Sequence, residues 1–159
     1  MRNKLFKVLI IIVALTSLCA CKSKTIEFKE DNFKIKLPSD FKKKTMDTFT
    51  YYYQSDKAII TVINESYDAV ATAGLSEDTT ISEYLTKAME KSGKEAEIQL
   101  GKNNAYISYD TTTNGNKYYH LCVAFKSNSG FWLVNYTCEE KYKKELSKEF
   151  LVWSESIEL

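Results

Sequence analysis

Residues 104–138, NAYISYDTTTNGNKYYHLCVAFKSNSGFWLVNYTC, decide the fold of this chain. β-branched and aromatic residues dominate three runs in this segment, which predicts strands at about 104–112, 117–126 and 131–138. Asn114-Gly115 lies between the first two runs, and this dipeptide is a strong hairpin signal. A second turn, Asn128-Ser129-Gly130, lies between the last two. The segment therefore predicts an antiparallel meander of three strands.

Two amphipathic helices flank this meander in the sequence. Thr80-Ile81-Ser82-Glu83 forms a capping box, apolar residues then recur at helical spacing, and Gly93 stands at the expected end. These signals predict a helix over about 81–92. Beyond the meander, apolar residues repeat every three or four positions, which predicts a closing helix from Glu139 to Trp153.

The residues before the first helix read mostly as strands. Alternating or β-rich patterns predict strands at Ile26–Phe28, Phe33–Leu37, Thr48–Tyr53 and Ala58–Ile63. Lys42-Lys43-Lys44 reads as a basic loop, residues 64–79 carry no clear period, and another strand is expected at about 95–100. This order of elements predicts an α+β fold, an antiparallel β-sheet flanked by helices.

A short motif adds a family resemblance. Phe33-Lys34-Ile35-Lys36-Leu37-Pro38-Ser39-Asp40-Phe41 resembles the opening motif of PsbP/Mog1-like proteins, with Phe41 where that family often has tryptophan. The order of strands and helices over the rest of the chain is similar as well. The resemblance implies an αβα sandwich that serves as a protein-binding or accessory module. It transfers no catalytic residue, because that family has no shared active site.

The N-terminus has the pattern of an export signal. Three basic residues, Arg2, Lys4 and Lys7, precede an apolar run over 8–18 that is too short for a membrane span. Leu18-Cys19-Ala20-Cys21 resembles the lipobox of bacterial lipoproteins. Cleavage is then expected between Ala20 and Cys21, with diacylglycerol on the Cys21 thiol. Cys19 is a poor alternative acceptor, because the bulky Leu18 would precede it.

These signals divide the chain into three parts. We expect a lipoprotein signal peptide at 1–20, a lipidated tether at 21–25 and a single α+β domain at 26–159. The expected location is the outer face of the cell membrane, held by the diacylglyceryl anchor. With so short a tether, the domain is expected to lie close to the bilayer.

Charge argues against a nucleic-acid partner. The chain has 22 basic residues, and removal of the three in the signal leaves 19 basic against 21 acidic residues. Phosphate backbones are bound by clustered positive charge, which this near-neutral balance does not provide.

The residue types of common catalytic and metal sites are sparse. His120 is the only histidine, and five glycines form no phosphate-binding loop, so we expect no cofactor, no metal and no enzymatic activity. His120 and Cys122 share a strand face, but a cysteine within a strand lacks the electropositive setting of a catalytic thiol.

Cys122 and Cys138 lie on neighbouring predicted strands. A two-residue turn at Ser129-Gly130 would place them on opposite faces, whereas a three-residue loop at 128–130 would place them diagonally on one face. A disulfide and two separate buried thiols therefore both remain open, and the second is favoured.

Aromatic residues are the remaining candidates for a binding function. Core packing is favoured for most of them, but Tyr and Trp are also enriched in interfaces. The candidate binding aromatics are Tyr51, Tyr53, Tyr106, Tyr109, Tyr118 and Trp132. The sequence thus predicts a non-catalytic accessory module for another envelope protein, and the alternative is a binder of cell-wall glycan or a small ligand through a tyrosine-rich face. The oligomeric state stays open.

Overall fold

A computed structural model of the chain describes residues 24–94 and 97–159. The strands are β1 Thr25–Glu30, β2 Phe33–Pro38, β3 Lys42–Lys44, β4 Tyr51–Gln54, β5 Ala58–Ser66, β6 Gln99–Leu100, β7 Ala105–Thr113, β8 Asn116–Lys126 and β9 Gly130–Glu139. The helices are α1 Tyr67–Val70, α2 Ile81–Lys91 and α3 Glu140–Glu155, and a 3-10 turn, Ala71–Ala73, follows α1.

Seven strands form one antiparallel sheet in the order β3-β4-β5-β9-β8-β7-β6. The hairpin β1-β2 forms a separate two-stranded sheet. The meander predicted from residues 104–138 is present as β7, β8 and β9, with a tight turn at Asn114-Gly115 where both residues have positive φ. The predicted α+β class, an antiparallel sheet flanked by helices, is confirmed.

The first face of the large sheet is covered by α3 and by the β1-β2 hairpin. Phe150 and Trp153 of α3 pack on Tyr136 of β9, with ring centroids 5.3 and 6.4 Å apart. Trp153 also meets Phe41 edge to face at 5.3 Å, and Phe33 of the hairpin stacks on Trp132 at 5.5 Å. These contacts build the larger of the two hydrophobic clusters.

The second face is covered by α2 over only part of its area. Tyr84 stacks on Phe131 with centroids 4.3 Å apart, and its hydroxyl donates to Glu65 Oε2 at 2.7 Å. Leu85 and Met89 of α2 join the same cluster, which reaches Ile107 and Cys122 on the sheet. The capping box that predicted this helix is present, since Thr80 Oγ1 accepts from the Glu83 amide and Glu83 Oε2 accepts from the Thr80 amide.

The prediction for residues 42–44 was wrong, and two further regions differ from what the sequence pattern indicates. The lysine run 42–44 is a strand, because it pairs with β4, and not a loop. Residues 64–79 contain the end of β5 and the short helix α1, which Ser66 caps by accepting from the Ala69 amide. The strand expected at about 95–100 is limited to Gln99–Leu100 among the described residues, and 95–96 lie outside them.

The disulfide considered for Cys122 and Cys138 is not formed, and both thiols are free and buried. Lys126 pairs with Phe131, so four residues lie between these paired positions of β8 and β9, and Cys122 lies opposite Asn135. Cys138 lies opposite Tyr119. Strand neighbours alternate between faces, so Cys122 belongs to the cluster under α2 and Cys138 to the cluster under α3.

Candidate functional site

The part of the second face beyond α2 is the strongest candidate site. Strand pairing places side chains there in rows, of which two are Tyr52-Thr61-Asn135-Cys122 and Gln54-Ile59-Thr137-His120-Tyr109. The half-buried members of these rows other than Tyr109, which packs against the cluster under α2, form with two neighbours what we call the open patch. It comprises Tyr52, Gln54, Ile59, Thr61, Thr111, Tyr118, His120, Asn135 and Thr137.

The burial of alternate residues shows how differently the two faces are covered. Ile60, Val62 and Tyr136 on the first face have 0% of their surface exposed. Their strand neighbours Ile59 and Thr137 on the second face stay half-buried. On this face α2 contacts β7 and β8, and α1 contacts β5. The cluster beneath α2 includes Cys122 and Ile107, and the open patch begins at Asn135, the neighbour of Cys122 in the same row.

His120 is the centre of a hydrogen-bond network on this patch. Its Nε2 lies 2.8 Å from Thr111 Oγ1 and its Nδ1 lies 3.0 Å from Thr137 Oγ1. Thr137 Oγ1 also accepts from Asn135 Nδ2 at 3.0 Å. Each hydroxyl can donate or accept, so both ring nitrogens are satisfied in either neutral tautomer. Tyr109 stacks on the imidazole with centroids 4.9 Å apart.

Burial lowers the pKa of His120, and the nearby Lys94 ammonium lowers it further, while Asp110 opposes both effects. The imidazole is therefore neutral at physiological pH. Burial also raises the pKa of the Cys122 thiol to about 12. A thiol that stays protonated is a poor nucleophile, and the imidazole nitrogens are held by threonines. This pair therefore has the chemistry of a packed polar network.

Among the members of the patch, Asn135 is the one with a buried polar atom that has no partner in the described residues. Its Oδ1 is buried and accepts no hydrogen bond from the described residues. A buried acceptor without a partner carries a free-energy cost.

The six predicted binding aromatics do not form one face. Tyr53 and Trp132 are buried in the first cluster, with Tyr51 and Tyr106 packed against it. Tyr109 and Tyr118 lie on the second face, Tyr109 beside His120 and Tyr118 opposite Thr111. The tyrosine-rich face expected as a glycan platform is therefore divided between opposite sides of the sheet.

Sequence reasoning missed the threonine, asparagine and isoleucine members of the open patch. Alternation within each strand was visible, but which residues stand side by side depends on register. Four residues lie between the paired positions Lys126 of β8 and Phe131 of β9, and this length aligns Asn135 with Cys122 and Thr137 with His120.

A second concave region lies on the first face of the sheet, near the edge formed by β6. It has a volume of about 690 Å³, a floor of Tyr106 and Phe125, and a wall from Leu151 and Leu159. Lys102, Asn104 and Glu155 stand at its rim. Its lining combines apolar groups with charges of both signs and indicates no single class of ligand.

Residues 24–94 and 97–159 contain neither a metal-binding cluster nor a membrane-spanning helix. Within these ranges, no group of three or more His, Cys, Asp or Glu residues is arranged to hold a metal ion. No helix there has the length and hydropathy to cross a membrane. The expected acceptor Cys21 and the cleavage residue Ala20 lie outside the described residues.

Neither a family model nor a curated protein matches the sequence. Solved structures do match. LpqN of Mycobacterium tuberculosis, involved in cell envelope biogenesis, has a TM-score of 0.52 and 12% identity over 85% of this chain and 90% of its own. A protein from Bacteroides thetaiotaomicron has a TM-score of 0.53 and 13% identity over 86% of this chain, which spans only 48% of that protein.

CyanoP, the PsbP protein of Synechocystis sp. PCC 6803, is also similar in structure. Its TM-score is 0.49 at 8% identity, over 89% of this chain and 95% of its own. A PsbP protein is therefore among the matching structures. At identities this low, the matches to LpqN and to the Bacteroides protein show a shared fold and no more.

Proposed function

We propose that this chain is a membrane-anchored, extracytoplasmic lipoprotein that acts as a non-catalytic accessory module and binds another envelope protein through the open patch. The observation that carries the proposal is the open patch itself, the part of the second face that α2 does not cover, on a sheet whose first face is covered by α3 and the β1-β2 hairpin. None of its nine side chains is charged when His120 is neutral.

The composition of the patch suits a protein partner. Interface centres are depleted in charged residues and enriched in aromatic ones, and the patch combines Tyr52, Tyr118 and His120 with aliphatic and hydroxyl groups. The division of the predicted aromatics between two faces removes the main argument for a glycan platform.

The membrane anchor is supported by the sequence of the export signal and lipobox. Two acyl chains on Cys21 would hold the domain stably, since one chain alone binds a bilayer only weakly. LpqN, which shares the fold, is involved in cell envelope biogenesis, and a role of this chain in the envelope agrees with that.

A photo-cross-linking residue at Thr61, which lies between Tyr52 and Asn135 on the patch, tests the binding proposal in cells. Thr112 is the matched control, because it is a strand threonine that is exposed on the first face. We expect a discrete cross-linked envelope protein from position 61 alone, and Thr61→Lys is expected to abolish its capture while Thr112→Lys does not. Retention of soluble peptidoglycan fragments without any captured protein would contradict the proposal.

The anchor has a separate test. Cys21→Ser is expected to abolish incorporation of labelled fatty acid and to release the protein from the membrane fraction. Unchanged labelling would move the attachment to Cys19 or remove the lipoprotein assignment.

A further inference from the structure

Strand β3 places three consecutive exposed lysines, Lys42–Lys44, along one edge of the large sheet. Lys42 and Lys44 lie opposite Gln54 and Tyr52, so they extend the two rows of the open patch to that edge. Lys43 points to the first face, where it pairs with Glu30 and lies 5.3 Å from the centre of the Tyr51 ring.

Two of these charges are uncompensated. Within the described residues, neither Lys42 nor Lys44 forms an ion pair, and the Nζ of Lys44 donates to the neutral amide oxygen of Gln54 at 2.7 Å. The apolar side chain of Met46 follows two residues later and is 44% exposed. Adjacent positive and exposed apolar groups are the combination that binds anionic membrane surfaces.

The path of the chain brings this edge close to the proposed anchor. Lys24 O accepts a hydrogen bond from the Ser39 amide at 2.7 Å, so the first described residue is tied to the end of β2. Only three residue steps separate Cys21 from Lys24, and three more separate Ser39 from Lys42. Each extended stretch reaches at most about 11 Å, so the lysine strand cannot lie far from the lipid.

We propose that β3 and Met46 lie against the anionic headgroups of the membrane, so that the lysine edge of the sheet faces the bilayer. This inference rests on the proposed anchor. It adds an orientation, because the open patch begins one strand away from β3 and would face sideways along the membrane. A partner of the patch would then be a protein that stands at the membrane surface.

A competing explanation is that lysines on an edge strand prevent pairing with other sheets. The two roles differ in their dependence on lipid charge. Edge protection acts through self-association in solution, whereas membrane docking requires anionic lipid and weakens with salt.

The first experiment uses the lipidated protein in vesicles of phosphatidylcholine, with or without phosphatidylglycerol. An environment-sensitive fluorophore is attached at Met46→Cys or, as the control, at Asn103→Cys beside the β6 edge. Six strand spacings separate these edges, about 29 Å. We expect the probe at position 46 to report a less polar setting in anionic vesicles only, and the probe at 103 to report no change.

The second experiment removes the lysine charges. Lys42→Gln with Lys44→Gln is expected to abolish the response at position 46, whereas Lys144→Gln with Lys148→Gln, the same change of net charge on exposed positions of α3, is expected to preserve it. For the full chain carrying Cys21→Ser, we expect the first pair to weaken sedimentation with anionic vesicles about 30-fold.

Failure of this inference can be told from failure of the anchor. Absence of acyl label contradicts the anchor, and the Cys21→Ser chain still tests the lysines. Equal signals at position 46 in neutral and anionic vesicles would overturn the inference. A lysine variant that binds vesicles normally but self-associates would also overturn the inference. A lysine variant whose only defect is loss of the partner cross-linked at Thr61 would overturn it as well.

Discussion

His120 shows how one residue type acquires a role from its surroundings. Its imidazole is half-buried, stacked on Tyr109 and bonded to the hydroxyls of Thr111 and Thr137. This setting favours the neutral ring, because burial opposes charge and Lys94 adds repulsion. His120 thus connects three strands, β7, β8 and β9.

The lowered pKa of His120 makes a prediction about stability and pH. In the unfolded chain the pKa returns to its ordinary value of about 6.5, so below that pH the unfolded state binds more protons. The contribution of His120 to the free energy of unfolding is therefore complete at pH values above the pKa of the unfolded chain. This contribution is lost as the pH falls through the lowered pKa of the folded protein. We expect denaturation in urea to show this fall and His120→Gln to abolish it.

His120 is the only histidine, so few other groups titrate in that range. The pKa values of Glu83 and Glu158 are lowered by hydrogen bonds from Thr80 and Lys34, and their contributions are lost only at more acidic pH. A nuclear magnetic resonance titration of the ring measures the pKa directly. A value at or above the ordinary one would contradict the structure.

The free thiols lead to a second prediction at this scale. Cys122 and Cys138 are buried on opposite faces, and burial raises the pKa of the Cys138 thiol to about 11. Both are expected to resist a thiol reagent in the native protein and to react after unfolding. Dithiothreitol is expected to leave the midpoint of thermal unfolding unchanged, and a shift on reduction would indicate a bridge.

The helices and strands differ in how clearly the local sequence predicts them. The boundaries of α2 were predictable because Thr80 and Glu83 satisfy amides at the start of the helix whatever it packs on. Strand β3 was not predictable, because a lysine run has low β-propensity and pairs only where β4 supplies a partner.

The cap of α2 can be tested by a pair of threonine variants. Thr80→Ala removes an N-cap acceptor and is expected to lower the free energy of unfolding by about 1 kcal/mol. Thr86→Ala, on the exposed side of the same helix, is expected to change it by less than about 0.5 kcal/mol. Denaturant titration measures both, and equal effects would show that the cap does not stabilise the helix.

At the scale of the whole molecule, α3 joins the two sheets. Its Trp153 contacts Tyr136 of the large sheet and Phe41 in the connection from the hairpin. Ser156, just after the helix, accepts from the Lys36 amide at 3.0 Å, and Lys34 forms a bridge with Glu158. The first face is therefore closed by contacts between the two ends of the domain.

Because α3 closes the first face, we expect neighbouring residues of this helix to contribute very differently to the free energy of unfolding. Trp153 is 6% exposed and Val152 is 57% exposed. Trp153→Ala is expected to lower the free energy of unfolding by about 3–5 kcal/mol, and Val152→Ala by less than about 0.5 kcal/mol. Calorimetry would measure both, and a small loss for Trp153→Ala would mean that α3 does not close the core.

The sequence by itself determined the α+β class, the meander, the helix starting at Ile81 and the closing helix, because hydrophobic period, turn dipeptides and capping residues act over short distances. The export signal and the lipobox pattern are also local, and they supply the anchor proposal. The fate of Cys122 and Cys138 could not be decided at this level, since it depended on the length of one connection.

Only the tertiary structure decided which residues form the open patch and which aromatics are buried. Alternation in a strand says that neighbours face opposite sides, but not which side α2 and α3 will cover. Register aligned Asn135, Thr137 and His120, and the limited reach of α2 left them uncovered. The physical reason is that burial and pairing join residues far apart in the chain, whereas the sequence pattern records only local preference.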